Sequence, residues 1–139
     1  MRRLGLIAAG GLIPLSFAPF NIWPAAFFGV GLAFWLMQGV RDWRTGFFYG
    51  WLIGVGKYAI GASWIYVSIH EQGGASESLA SVLVGVFVAG MALFSALFGV
   101  LYTLCAPTSP KSGYPVLRVA VFAATWCLAE WSLTWLLTG

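Results

Sequence analysis

Two ionisable side chains, Lys57 and Glu130, interrupt the apolar stretches of this chain, whereas every other Lys, Arg, Asp or Glu lies in or near a gap between them. A charge inside hydrocarbon is costly unless it faces protein, water or a counter-charge. The pair therefore points to one of two chemistries. One is a polar path for protons or a substrate; the other, which we prefer, is an ion pair that ties two helices together. Lys57 lies near the middle of residues 46–69 and Glu130 slightly nearer the far end of residues 115–137. Both stretches cross in the same sense, so their depths differ by about three residues, or about 5 Å, and a contact is within reach. His70, beside Glu71, has the chemistry of a general base, but no Ser or Cys nucleophile stands at a recognisable spacing to it, and a loop histidine is the simpler reading. Cys105 and Cys127 sit in apolar segments with no metal-like spacing to the single histidine, as packing thiols do. From these residues we expect no catalytic group, no metal site and no cofactor, and we assign no substrate-binding residue.

The elements that carry these residues follow from hydropathy. Hydrophobic residues make up 60% of the 139, aromatics 17% and charged residues only 8%, a composition that does not fit a soluble surface. The formal charge of +3 is small and dispersed, without the basic stripe of a nucleic-acid binder. Five apolar runs appear: residues 4–20, 24–38, 46–69, 79–105 and 115–137. The first follows Arg2 and Arg3; Ser16-Phe17-Ala18 resembles a signal-peptidase site, but Pro19 after the cut argues for a retained helix. The second is short, and the first two are expected to form a tight helical hairpin. Gly46, Gly50 and Gly54 stack a bare stripe on the third run, and Ser81, Gly85 and Ala89 a second on the fourth; such stripes let helices approach closely in lipid.

Arg2, Arg3, Arg41, Arg44, Lys111 and Arg118 flank alternate gaps, while the gaps around Asn21 and from His70 to Ser78 hold no Lys or Arg. The positive-inside rule then places the N-terminus in the cytoplasm. Trp23, Trp64 and Tyr66, with His70 at the end of the third run and with Trp131 and Trp135, fall at the outer interface, where aromatic belts anchor helices. The expected fold is an all-α, polytopic bundle of about five transmembrane helices. No internal repeat or pair of broken helices supports a transporter using Lys57 and Glu130.

Four motifs occur in a telling order: Ala18-Pro19-Phe20-Asn21-Ile22-Trp23-Pro24-Ala25-Ala26; Gly61-Ala62-Ser63-Trp64-Ile65-Tyr66-Val67-Ser68-Ile69-His70; Leu117-Arg118-Val119-Ala120; and Glu130 through Leu136-Leu137-Thr138-Gly139. In these the chain resembles the N-terminal membrane region of bacterial apolipoprotein N-acyltransferases along essentially its whole length. The resemblance implies an inner-membrane, multi-pass enzyme whose acyl donor is a membrane phospholipid. Its acceptor is the α-amino group of the N-terminal S-diacylglyceryl cysteine of a lipoprotein. It further implies a nitrilase-like domain whose Glu, Lys and Cys act as base, oxyanion stabiliser and thioester-forming nucleophile. None of the three has a counterpart in these 139 residues, which are expected to form one N-terminal transmembrane domain, inactive alone. One position departs from the family pattern: where an arginine commonly follows the last motif's glutamate by three residues, this chain has Leu133. Lys57 is then the buried cation left to neutralise Glu130.

Overall fold

The computed structural model describes residues 1–107 and 115–138. Lys111, and with it the gap of residues 108–114, lies outside the described residues, as does Gly139. Among the described residues the structure is helical with no strand. The order is α1 (Arg2–Leu12), a 3₁₀ turn (Pro14–Ser16), α2 (Trp23–Met37), α3 (Trp43–Gly61), α4 (Ser63–Val67) continued by a π turn (Ser68–Gln72), α5 (Glu77–Cys105) and α6 (Pro115–Thr138).

Local chemistry sets most boundaries. Pro24 occupies the first turn of α2, where its missing N–H costs nothing. Gly39, at φ 78°, takes the left-handed position just past that helix. Asp42 caps α3: its carboxylate accepts from the Thr45 N–H at 3.1 Å and from the Thr45 hydroxyl at 3.1 Å. That backbone N–H, joined by the hydroxyl and the Arg44 guanidinium, holds the Asp42 carboxyl below its ordinary value. Ser76 caps α5 through the Leu79 N–H.

Two of the expected runs are broken. α1 stops at Leu12, about 16 Å long at the helical rise, because Pro14 has no N–H for the Gly10 carbonyl and its ring crowds that carbonyl. The third run bends by 53° between Gly61 and Ser63, so α3 and α4 lie on either side of a kink. By length and hydropathy α5 and α6 are each able to cross a membrane, and the bent α3–α4 pair makes a third candidate; α2 is a shorter apolar helix.

The packing is antiparallel between chain neighbours and brings α1, α3 and α6 into one direction. Gly5 of α1 faces Leu36 of α2, and Gly29 of α2 faces Ala9 and Leu12, which defines the expected hairpin. α1 then lies alongside α3: Gly10 abuts Ile53 and Lys57, and Gly56 abuts Ile7 and Gly11. Leu6 and Ala9 of α1 are wholly buried in this seam, so the first segment is part of the core. On its other face α3 meets α5, where Gly46, Gly50 and Gly54 contact Thr103, Gly99, Ser95, Ala96 and Ala92.

The stripe expected at Ser81, Gly85 and Ala89 is not the one that packs. Ser81 and Gly85 are exposed, and a methyl at Gly85 would meet nothing within 4 Å. The reason is the face: Ala80, Val88 and Ala92 are the buried positions, and Ser81, Gly85 and Ala89 each lie one residue, about 100°, round the helix from the covered line. Ala89 instead offers its carbonyl to the Trp51 indole N–H at 3.2 Å. α6 packs on α5 through an aromatic cluster, with Phe122 edge-on to Phe98 (5.1 Å), Tyr102 (5.6 Å) and, from α2, Phe34 (5.2 Å).

Candidate functional site

Lys57 sits one turn before the α3–α4 kink, and Glu130 lies two thirds of the way along α6. The structure brings them together: Lys57 Nζ donates to Glu130 Oε1. The two side chains are 17% and 37% exposed, so the ammonium is the deeper partner and the carboxylate lies toward the open side of α6. The ring of Tyr58 sits 5.1 Å from the ammonium and supplies a cation–π contact. The ion pair ties α3 directly to α6. Sequence reasoning did not single out Tyr58; a tyrosine next to a buried lysine is too common a neighbour to stand out.

Lys57 also lines a small cavity of about 280 Å³ under the kink, walled by Ile13, Pro14, Phe17, Tyr58, Trp64 and Phe87 among others. A second, larger apolar groove of about 520 Å³ runs between α2 and α6, from Phe27 and Val30 to Phe122, Trp126 and Cys127. Cys127 is a free, exposed thiol, and no Lys, Arg, His, Asp or Glu lines the groove with it. Cys105 is likewise free and exposed. Within that groove Cys127 thus meets no base or cation of the kind that activates a nucleophile.

The interfacial residues collect at one end. Trp23 opens α2, Trp64 and Tyr66 lie in α4, and Trp131 and Trp135 stack at 6.3 Å near the end of α6. Given the helix directions, this end is opposite to the one holding Arg2, Arg3, Arg41, Arg44 and Arg118. His70 lies in the π turn at the aromatic end, stacked on Tyr66 at 5.7 Å. Its Nδ1 is 2.9 Å from the Ala75 carbonyl, a contact that pins the turn.

Residues 9–139 match the apolipoprotein N-acyltransferase N-terminal domain. The chain belongs to the apolipoprotein N-acyltransferase family. It is 40% identical over 133 residues to the apolipoprotein N-acyltransferase of Pseudomonas aeruginosa strain PAO1, covering 96% of this chain and 25% of that protein. It is 42% identical to the Pseudomonas syringae pv. tomato apolipoprotein N-acyltransferase over 135 residues, 96% of this chain and 26% of the relative. The Coxiella burnetii apolipoprotein N-acyltransferase is 39% identical over 143 residues, 100% of this chain and 28% of the relative. The chain thus spans about a quarter of the length of these apolipoprotein N-acyltransferases. The bundle described here corresponds to the N-terminal domain of the family.

Proposed function

We propose that the chain forms the N-terminal membrane domain of an enzyme that transfers an acyl chain from a phospholipid to the α-amino group of the N-terminal S-diacylglyceryl cysteine of lipoproteins. The domain sits in the bacterial inner membrane as a multi-pass bundle with its arginine end in the cytoplasm. It anchors the enzyme and forms part of its lipid-facing side. The observation that carries this reading is the family match over residues 9–139, at about 40% identity across nearly the whole chain. In this reading the catalytic Glu, Lys and Cys belong to the nitrilase-like domain, none of the 139 residues is catalytic, and Lys57 and Glu130 hold α3 to α6.

The test is a chimera in which this chain replaces the matching 133 residues of the Pseudomonas aeruginosa relative. Acyl transfer from a labelled phospholipid to a diacylglyceryl lipopeptide should persist, while this chain alone, incubated with the same phospholipid, should show no adduct at Cys105 or Cys127 by mass spectrometry. A stoichiometric acyl-thioester on either cysteine would overturn the assignment of catalysis to the other domain. A chimera that inserts and folds yet transfers nothing would count against the shared function.

A further inference from the structure

At the arginine end a cavity of about 630 Å³ opens between the start of α1 and the end of α2, lined by Arg2, Gly5, Leu32, Trp35, Leu36 and Gln38 among others. One side is basic and the other apolar. Arg2 is held in place: its Nε and Nη2 donate to the Leu36 carbonyl, its Nη2 to the Gln38 carbonyl at 2.9 Å, and its guanidinium lies 5.2 Å from the centre of the Tyr49 ring. These bonds cap the end of α2 and leave the two Nη1 N–H bonds without an acceptor among the described residues. Nor is this charge neutralised nearby. The ion pair between Lys57 and Glu130 is the only one among the described residues, so Arg2, Arg3 and Arg41 have no carboxylate partner among them, and Arg44 acts on Asp42 only through its field. Asp42, the one acid at this end, is engaged as the cap of α3, and Glu71 and Glu77 lie at the opposite end.

The positive-inside rule requires only that such charges exist at this end. It does not require a guanidinium fixed at the rim of an apolar cavity. We propose that this cavity binds one anionic phospholipid of the adjacent leaflet, with its phosphate on the free Nη1 edge of Arg2 and its first acyl methylenes against Leu32 and the exposed Trp35. Guanidinium is matched to a phosphate by geometry as well as charge, and basic pockets beside membrane helices take such headgroups. A zwitterionic lipid also carries a phosphate, but its ammonium meets the field of Arg3, Arg41 and Arg44. The bound lipid would fasten the α1–α2 hairpin at the membrane surface.

The experiment is native mass spectrometry of the detergent-solubilised protein titrated with phosphatidylglycerol, phosphatidylcholine or sn-glycerol 3-phosphate. One phosphatidylglycerol should be retained about tenfold more tightly than phosphatidylcholine, and glycerol phosphate at the same concentration should neither bind nor compete. Arg2→Gln should abolish the preference for the anionic lipid. Leu32→Trp, which fills the cavity and leaves every charge in place, should lower retention of both lipids. Trp35→Ala, at an exposed position that the fold does not need, should weaken retention with the thermal midpoint unchanged, which separates loss of the site from loss of folding. Equal retention of the two lipids, competition by glycerol phosphate, a preference that survives Arg2→Gln, or undiminished retention in both Leu32→Trp and Trp35→Ala would overturn the proposal.

Discussion

The Lys57 ammonium is mostly enclosed by α3, α6 and the Tyr58 ring, whereas the Glu130 carboxylate is only partly covered. Removing one partner strands the other in a low-dielectric site, at a cost of about 3–5 kcal/mol for a buried pair and toward the lower end for one this exposed. Replacing both by apolar residues of similar size leaves no stranded charge. Lys57→Met and Glu130→Leu should each lower the thermal midpoint of the purified protein, and the double variant should recover most of the loss. Swapped charges, Lys57→Glu with Glu130→Lys, should be partly tolerated. A double variant as damaged as the sum of the singles would show that the two residues act independently. Both members of this contact were legible because a charge in an apolar run stands out whatever the fold does. The Arg2 cap on α2 was not, since an arginine near the N-terminus reads as a topology signal and nothing in the spacing says which carbonyls it will reach.

Between elements, the seams are made of glycine. A methyl added at Gly10 would overlap the Ile53 carbonyl, one at Gly56 the Ile7 carbonyl, and one at Gly50 the Ser95 carbonyl, so backbone lies against backbone on both faces of α3. Such contacts give helices van der Waals attraction that lipid does not match. Gly10→Ala, Gly50→Ala and Gly56→Ala should each destabilise by about 1–3 kcal/mol, as overpacking does, and should reduce the folded fraction in detergent. Gly31→Ala and Gly85→Ala meet open space and should be neutral or better, since alanine is favoured over glycine in a helix by about 1 kcal/mol. Equal damage in both groups would remove the close-packing account. The period of four in Gly46, Gly50 and Gly54 announced the α3 face directly. Its partner stripe on α5 was misplaced because small residues recur along the whole of α5, and the face that packing covers runs through Ala80, Ala92 and Ala96 instead. The kink after Gly61 left no proline or charge to mark it, and the early end of α1 turned on Pro14, the first of two prolines inside the run of residues 4–20.

Across the whole molecule, the helix directions found by packing and the charges found by sequence agree on one polarity. α1, α3 and α6 begin at the arginine end, α2 and α5 finish there, and Trp23 of α2, Trp64 of α4 and Trp131 and Trp135 of α6 gather at the other. Two consequences of this polarity are open to labelling: the compartment that each end faces, and the number of shorter elements that cross. For the first, the positive-inside rule predicts a cytoplasmic arginine end. The second depends on whether the α1–α2 hairpin, with elements of about 16 and 22 Å by helical rise, spans a thinned bilayer or dips into it. Single cysteines decide both, placed in a background where Cys105 and Cys127 are replaced by alanine. Gln72, in the turn at the aromatic end, should react with a membrane-impermeant maleimide in intact spheroplasts. Lys111, between α5 and α6, should react only after the membrane is opened. A third cysteine at Asn21, between α1 and α2, should react like Gln72 if the hairpin crosses. Labelling of Gln72 and Lys111 from the same side would sink the topology, and labelling of Asn21 only after lysis would reduce the hairpin to a re-entrant pair.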